Sequence, residues 1–385
     1  MENIKMFQTT PRIIMGPGSL DRVVDEINRL NSKKIMIVTD TGLVKAGITG
    51  KLEVRLNTSG IKFATFDKVE PDPRIEIAEQ AAKEIKAQGA DLVIGIGGGS
   101  PIDIAKAAAI LASNDGDINS YFGIDLIPAP GLKTIIIPTT AGTGSEVTPI
   151  VILSDEKEKL KKGIVSSYLF PDVAILDAEL TTGLPPLVTA ATGMDAFIHA
   201  VEAYTSNGAN SMTDIFAIQA IKLISNNIRT AFSNGNDIEA RSKMLEGSLL
   251  AGMAFANAGV TAVHAFAYPI GAEFHIPHGI ANSIMLVPVM EFNVLGNQAK
   301  FAELAQIIGE DITGLSQEDS AAAALNAMHN LMKDLQLPRH LKEFGIFESD
   351  IPMLAQGVMK VTRLLANNPR TLTVKDAETI YRKVL

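Results

Sequence analysis

Three of the chain's six histidines lie within one short segment, HAFAYPIGAEFHIPH, which contains His264, His275 and His278. Asp195 and His199 are four residues apart in TGMDAFIHAVEAY, a spacing that puts both side chains on one face of a helix. A carboxylate with several neutral imidazoles suits Fe(II) or Zn, and the absence of cysteine excludes thiolate ligands. The spacing predicts a metal site, although Asp195 and His199 could instead simply hydrogen-bond to each other. It does not decide between His275 and His278.

A glycine-rich segment, DLVIGIGGGSPIDIAK, places Gly97, Gly98, Gly99 and Ser100 between an apolar strand and a helix. Glycines let the backbone approach a ligand closely, and the N-terminus of a helix offers free N–H groups to an anion. The segment lacks the G-x-G-x-x-G spacing of the common dinucleotide fingerprint, and glycine triplets also form plain turns. We interpret it as a loop that binds a diphosphate.

Two further polar segments follow predicted strands. The loop PTTAGTGSE carries Thr139, Thr140 and Thr143 after the strand TIIIP, and its hydroxyl and backbone groups can bind a cofactor. Asp40 closes the strand KIMIVTD, and a carboxylate at the end of a parallel strand can accept hydrogen bonds from a ribose. Such a carboxylate would repel a 2′-phosphate and therefore favours NAD over NADP. Its alternative role is that of a helix cap or turn residue.

The secondary structure that must position these groups changes along the chain, from alternating strands and helices to helices alone. Apolar runs predict strands at 34–40, 62–66, 91–96, 134–138, 150–153 and 173–177. Amphipathic runs predict helices at 19–30, 74–89, 101–113, 185–206, 211–228, 238–258, 296–309, 319–336 and 373–385. We therefore predict an α/β N-terminal domain with a parallel, Rossmann-like sheet at 1–181 and an all-α C-terminal domain at 182–385. The boundary is placed in the Gly- and Pro-bearing segment ELTTGLPPL.

The composition excludes several classes of partner. The 385 residues include 34 basic and 43 acidic side chains, a net charge of −9 that disfavours nucleic acids and anionic membranes. The first residues lack the basic start and apolar stretch of a signal peptide, so we expect a cytoplasmic protein. Residues 247–272 carry no charge and are long enough to span a bilayer, but they include Asn257, His264 and Pro269. This composition favours a buried helix followed by a functional turn.

The motifs together resemble the iron-containing (group III) alcohol dehydrogenase family along essentially the whole chain. The matching segments are PRIIMGPGSL, IVTD, GGGSPIDIAK, PTTAGTGSEVT, ATGMDAFIHAVEAY, FHIPHGIANSIML and NNPR. The resemblance implies a dinucleotide-binding N-terminal domain, a helical metal-binding domain, and catalysis in the cleft between them. It also implies NAD(H), Fe(II) or alternatively Zn, and a homodimer or higher homo-oligomer.

The resemblance also assigns roles to individual residues. The metal ligands that it implies are Asp195, His199, His264 and His278. The cofactor residues that it implies are Asp40, Gly97, Gly98, Gly99, Ser100, Asp103, Thr139, Thr140, Thr143, Lys161 and Phe255. Within this set, Lys161 and Phe255 correspond to residues near the nicotinamide.

Two positions raise questions of their own. Many family members have a further histidine four residues after the third ligand, where this chain has Tyr268. A phenol, with a pKa of about 10, is a poor base near neutral pH, so proton exchange could instead use water, the cofactor ribose or His275. Arg363, in TRLLANNPR, is expected near the pocket wall. It either forms a surface or interdomain ion pair or binds an anionic tail of the substrate.

The predicted function is reversible hydride transfer between nicotinamide C4 and a small primary alcohol or aldehyde, which could carry an anionic group. His264, His278, Tyr268 and His275 form the predicted catalytic group. A glycerol dehydrogenase-like or dehydroquinate synthase-like enzyme of the same architecture is one alternative. A metal-loaded scaffold without enzymatic activity is another.

Overall fold

The computed structural model describes residues 4–156 and 160–385. The chain divides into two compact units. One, the α/β unit, comprises Thr9–Gly183; the other, the helical unit, comprises Leu184–Leu385 and residues 4–8.

The predicted division at 181/182 placed the N-terminal residues in the α/β domain. In the structure, residues 4–8 belong instead with the helical unit. The ring of Phe7 stacks on Phe216, with 5.2 Å between ring centroids. The backbone N–H of Gln8 donates to Asn257 Oδ1 at 2.7 Å, and the Asn257 amide donates back to the Gln8 carbonyl. These contacts join residues far apart in sequence, so no local pattern in the N-terminal residues could reveal them.

The α/β unit is built on a parallel sheet. Its strands are β1 (Ile13–Met15), β2 (Lys34–Val38), β3 (Lys62–Phe66), β4 (Leu92–Gly97), β5 (Gly123–Ile124), β6 (Lys133–Pro138), β7 (Ile150–Asp155), β8 (Leu160–Val165) and β9 (Val173–Leu176). Six of them form a sheet in the order β1-β9-β6-β4-β2-β3, with every neighbouring pair parallel. The predicted parallel sheet is confirmed.

One predicted strand lies outside that sheet. The segment 150–153 does form a strand, β7, but β7 pairs antiparallel with β8 in a separate sheet of order β5-β8-β7. The sixth position of the main sheet is taken by β1, which has three residues. Apolar alternation predicts that a segment is extended but not which sheet it joins, and three residues are too few to show a period.

Both faces of the main sheet are buried. Along β2, Ile35 and Ile37 belong to one apolar cluster, whereas Met36 and Val38 belong to another. Successive side chains of a strand point to opposite faces, so this division places one core on each side of the sheet. The helices of this unit are α1 (Val23–Arg29), α2 (Thr41–Lys45), α3 (Ile48–Thr58), α4 (Ile75–Gln88) and α5 (Gly99–Ser113).

The described helices of the second unit run from residue 186 to residue 382. They are α6 (Pro186–Thr205), α7 (Ser211–Ser233), α8 (Ile238–Ala258), α9 (Ala262–Phe274), α10 (His278–Asn293), α11 (Gln298–Ile308), α12 (Gln317–Asp334), α13 (Ile351–Lys360), α14 (Thr362–Leu365) and α15 (Val374–Arg382). The predicted all-α character of this part of the chain is confirmed.

The long uncharged run is not one straight helix. It is divided between α8 and α9, which are bent by 102° at a short break. Gly259 begins this break with φ of 77°, a conformation that glycine adopts without steric cost. The stretch His278–Gly296 is apolar and long enough to cross a membrane, but 67% of its most apolar part is buried inside the protein, as in a core helix.

Candidate metal centre and cofactor loops

The four predicted metal ligands converge in the helical unit. Asp195 and His199 lie one turn apart on α6, and each offers a ligand atom within 4.8 Å of one on His264, near the start of α9. His278 begins α10, and its Nε2 is 3.7 Å from Asp195 Oδ1. His264 Nε2 is also 3.7 Å from that oxygen. The bend between α8 and α9 and the turn before α10 bring these residues together.

The electrostatics of this cluster favour a bound cation. Burial would raise the pKa of Asp195, but the neighbouring imidazoles of His199, His278 and His264 outweigh burial and lower it. Burial would likewise lower the pKa of His264, yet the negative charges of Glu202 and Asp195 raise it. The Asp195 carboxylate therefore keeps its negative charge despite burial, and a carboxylate of this kind can bind a divalent ion.

Ring stacking orders the imidazoles. The His199 ring lies 4.6 Å from the ring of His264 and 4.3 Å from that of Phe255, with interplanar angles of 19° and 20°. Phe255 comes from α8 and is buried, so it restricts the orientation of His199. Its expected contact with the nicotinamide stays a prediction.

Glu202 is a functional residue that the sequence reasoning missed. Its fully buried carboxylate accepts hydrogen bonds from Thr261 Oγ1 at 2.6 Å and from the backbone N–H groups of Thr261 and Val263 at 3.1 and 2.8 Å. The same carboxylate makes a short hydrogen bond with Nδ1 of His264. This bond orients the ring so that Nε2 faces the site, as carboxylates commonly do for metal-binding histidines. The available signal was spacing, because Glu202 follows His199 by three residues on the same helix.

Asn282 is the second residue that was missed. It lies on α10, one turn after His278, and is fully buried. Its Nδ2 is 2.7 Å from Asp195 Oδ1 and 3.1 Å from Nε2 of both His264 and His278. Three of the predicted ligands therefore contact a single carboxamide, and the i+4 spacing from His278 was the only local sign of it.

The two neighbouring histidines, His275 and His278, occupy different surroundings in the structure. His275 ends α9 with φ of 54°, its backbone N–H donates to the Gly271 carbonyl at 3.1 Å, and its side chain is exposed. This turn reverses the chain, so that His278 rather than His275 lies beside Asp195.

In the α/β unit, the two predicted cofactor loops contact each other. The backbone N–H of Thr139 donates to the Gly97 carbonyl at 2.9 Å, directly beyond β6 and β4. A Cβ on Gly97 would lie 2.5 Å from the Pro101 ring, and one on Gly99 would lie 2.8 Å from Thr143. Both positions therefore require glycine, which explains this part of the triplet.

The remaining residues of these loops lie around the start of α5. Gly98 directly precedes α5, and Ser100 lies in the first turn of that helix. The hydroxyl oxygen of Thr140 is close to Gly98, since it would lie 3.5 Å from a Cβ placed there. The amino end of α5 thus lies beside a threonine-bearing loop at the carboxyl end of a parallel sheet. This arrangement suits an anionic group of a nucleotide.

Asp40 caps a helix in this structure. Its Oδ1 accepts a hydrogen bond from the backbone N–H of Leu43 at 2.9 Å, at the start of α2. This is the alternative role that the sequence left open. The expected contact between Asp40 and a ribose stays a prediction.

Asp103 contacts the backbone of its own unit in this structure, and its expected contact with the cofactor stays a prediction. Asp103 is buried and accepts a hydrogen bond from the Ile152 N–H at 2.9 Å. Burial raises its pKa to about 6, although attraction to Lys106 opposes this shift. Lys106, also buried, donates to three backbone carbonyls, those of Ser145, Thr148 and Ile150, at 3.1, 2.8 and 2.7 Å. The two side chains therefore hold the segment that follows the threonine loop.

The match to known families covers both units. The description "Iron-containing alcohol dehydrogenase" matches residues 10–178, and "Fe-containing alcohol dehydrogenase family, C-terminal" matches residues 189–385. The chain belongs to the iron-containing alcohol dehydrogenase family. The resemblance found in the sequence is therefore confirmed, as is the assignment of the protein as an oxidoreductase.

Individual relatives of this family are similar over almost their whole length. Sulfoacetaldehyde reductase of Bilophila wadsworthia is 43% identical over 364 residues, which are 94% of each chain. The crystal structure of a 1,3-propanediol oxidoreductase matches with a TM-score of 0.97 at 39% identity, covering 100% of both chains. A sulfoacetaldehyde reductase from Bifidobacterium kashiwanohense in complex with NAD+ matches with a TM-score of 0.90 at 31% identity, covering 99% of this chain and 98% of that one. These similarities favour an alcohol dehydrogenase or aldehyde reductase over the alternatives considered above.

Two further side chains, those of Tyr268 and Arg363, lie near the predicted ligands. Tyr268 follows His264 by one turn of α9, and its ring centroid is 6.1 Å from that of His278. Arg363 lies on α14 with an exposed side chain, and its positive charge opposes the rise in the pKa of His264. Tyr268 thus lies close to one predicted ligand, and Arg363 acts electrostatically on another.

Lys161, by contrast, pairs with a surface carboxylate. Its Nζ lies 2.5 Å from Asp72 Oδ1, and its own side chain is mostly buried. Its expected place near the nicotinamide stays a prediction.

We predict that Glu202→Gln weakens metal binding about 10- to 100-fold, because the neutral amide no longer orients and polarises His264. The dissociation constant would be measured by competition with a chelator, and the bound metal by elemental analysis. Glu303→Gln is the matched control, since Glu303 accepts a hydrogen bond from Tyr204 elsewhere in the helical unit. Equal metal affinity in the wild type and Glu202→Gln would contradict the role assigned to Glu202.

Proposed function

We propose that the protein catalyses reversible hydride transfer between NAD(H) and a small primary alcohol or aldehyde. In this proposal Asp195, His199, His264 and His278 hold one divalent ion, Fe(II) or alternatively Zn. The observation that carries the proposal is the convergence of these four side chains, with three of them offering ligand atoms within 4.8 Å of one another.

The donor set fits such an ion. It combines one carboxylate with imidazoles, a set that both Fe(II) and Zn accept. The Nδ1 of His264 is occupied by Glu202, which leaves Nε2 for the ion. Negative charge persists at Asp195 despite its burial.

When bound, the divalent ion would act as a Lewis acid on the substrate oxygen, and NAD(H) would exchange a hydride with the substrate carbon. The protein contributes orientation: α6, α9 and α10 fix the ligands, and Phe255 restricts the His199 ring. The ring of Tyr268 lies near that of His278, and its phenol can hold a hydrogen bond in a chain leading the alcohol proton to water.

Binding of NAD(H) is supported by the α/β unit. The glycine loop at the start of α5 and the loop with Thr139 and Thr143 form the polar end of the parallel sheet. A relative of the family was solved in complex with NAD+. Asp40, whose carboxylate would repel a 2′-phosphate, favours NAD over NADP. The homodimer or higher homo-oligomer and the cytoplasmic location stay predictions.

We predict that the metal-loaded protein oxidises NADH, followed at 340 nm, with propanal, butanal or glycolaldehyde, and that chelation removes this activity. His264→Ala should abolish turnover and reduce bound metal while leaving NADH binding largely intact. His329→Ala is the control, because His329 is exposed on α12.

Turnover by metal-free protein would contradict the metal-dependent reaction. Activity on glycerol in place of these aldehydes would support the glycerol dehydrogenase-like alternative. No turnover with any metal would support the scaffold.

Arg363 supports a proposal about the class of substrate. Within the described residues, its guanidinium has no carboxylate within ion-pair distance, although its charge acts on His264. An exposed, unpaired cation close to the reacting centre can bind an anionic tail of the substrate. A relative with 43% identity is named sulfoacetaldehyde reductase, an enzyme whose name denotes an anionic aldehyde. We therefore include small anionic aldehydes among the proposed substrates.

We predict that Arg363→Ala raises KM for sulfoacetaldehyde about tenfold, the loss expected for one charge-assisted hydrogen bond, and leaves KM for propanal nearly unchanged. Arg363→Lys, which keeps the charge, should recover part of the affinity for the anionic aldehyde. Steady-state kinetics with both aldehydes measure the effect. Equal KM changes for the charged and the neutral aldehyde would remove Arg363 from the substrate pocket.

A further inference from the structure

We propose that a cavity beside α10 binds a small organic anion that carries a short apolar tail. The cavity lies within the helical unit and has a volume of about 380 Å³, a size typical of sites for small ligands. None of the predicted metal ligands lines it, so the inference goes beyond the proposed function and does not depend on it.

The cavity and the metal cluster lie on opposite sides of α10. Ile284 and Glu291 line the cavity, and their spacing of two helical turns puts them on one face of the helix. His278 and Asn282 lie on the face that contacts Asp195. Each residue advances an α-helix by about 100°, so Glu291 points about 180° away from Asn282. A ligand in the cavity therefore would not displace a metal ligand.

The floor of the cavity is apolar. It is formed by side chains from three parts of the unit: Ile284, Val287 and Pro288 of α10, Met332 of α12, and Val384, which follows α15. Ile284, Met332 and Val384 are 1%, 3% and 8% exposed, whereas Val287 is partly exposed. Such side chains form no hydrogen bonds, so the floor favours contact with the hydrocarbon part of a ligand.

One positive charge beside this floor is not neutralised. Lys383 and Glu291 neutralise each other, with 2.7 Å between Nζ and Oε2. The guanidinium of Arg339, which also lines the cavity, has no carboxylate within ion-pair distance among the described residues. The hydrogen bond that joins Arg339 to Glu343 comes from the backbone N–H of Arg339. In a chain of net charge −9, this guanidinium is a local positive site that attracts anions.

The apolar floor and the guanidinium together define the chemistry of the ligand. A guanidinium can bind a carboxylate through two parallel hydrogen bonds. An inorganic anion would pair with Arg339 but leave the floor in contact with water, and a neutral hydrocarbon would leave the guanidinium without a partner. A monocarboxylate with a chain of a few carbon atoms satisfies both. We therefore choose hexanoate as the probe.

Isothermal titration calorimetry of the metal-loaded, full-length protein with hexanoate tests the proposal. Calorimetry is suitable because the chain contains no tryptophan whose fluorescence could report binding. Acetate keeps the charge but lacks the tail, and hexanamide keeps the tail but lacks the charge. We expect hexanoate to bind about tenfold more tightly than either, because only hexanoate contacts both the guanidinium and the floor.

Substitutions separate this cavity from other positive sites on the protein. Arg339→Gln should weaken hexanoate binding about tenfold, the loss expected for one charge-assisted hydrogen bond. Val287→Glu, at the partly exposed position of the floor, should weaken it further through repulsion. Arg382→Gln is the matched control, since it removes the same charge next to Lys383 from a side chain that pairs with Glu348 and does not line the cavity.

Arg363→Ala distinguishes the cavity from the proposed substrate pocket, and this variant should bind hexanoate as tightly as the wild type does. Equal affinity in the wild type and Arg339→Gln, or an equal loss in Arg339→Gln and Arg382→Gln, would overturn the proposal. A loss confined to Arg363→Ala would also overturn it, as would a wild type that binds no hexanoate at millimolar concentration. Hexanoate binding as expected by a protein that reduces no aldehyde would instead contradict the proposed function and leave this proposal intact.

Discussion

The contact between Glu202 and His264 is the interaction on which the metal centre depends. A carboxylate on α6 binds the imidazole on α9 and, at the same time, the backbone of the break between α8 and α9. One buried negative charge thus fixes the bend of the chain, the position of α9 and the orientation of a ligand. Burial would raise the pKa of Glu202, but the charge and hydrogen bond of His264, with hydrogen bonds from Thr261 and Val263, outweigh burial and lower it.

The α/β unit solves a different physical problem, that of bringing backbone donors close to an anion. Parallel strands end at one edge of the sheet, where Gly97 and Thr139 join the two loops by a backbone hydrogen bond. Glycine is required where the loops touch, since a Cβ at Gly99 would collide with Thr143. Lys106 holds the segment 145–150, which follows the threonine loop, by donating hydrogen bonds to three of its backbone carbonyls.

Much of this architecture could be predicted from the sequence because it depends on local periodicity. The strand at 62–66 and the helix at 238–258 have the predicted bounds, and the apolar strand at 134–138 lies within the main sheet as expected. β1 and the sheet to which β7 belongs could not be predicted, since both depend on pairing between distant segments. The predicted helix at 19–30 begins as a 3-10 helix, Ser19–Arg22, before α1, a change that apolar spacing does not reveal.

The candidate site could be predicted from the sequence only in part. Chemically distinctive residues and the family resemblance together predicted four ligands, whereas Glu202 and Asn282 act through contacts that only the folded chain creates. Asp103 lies in a predicted cofactor motif, but the motif does not reveal that its buried side chain accepts a hydrogen bond from the Ile152 N–H.

Anomalous diffraction at the iron or zinc absorption edge, from crystals of metal-loaded protein, can show whether one carboxylate and three imidazoles hold a single divalent ion. We expect one strong anomalous peak about 2.0–2.2 Å from Asp195 and from the ring nitrogens of His199, His264 and His278. A peak elsewhere, or none among these residues at full metal loading, would contradict it.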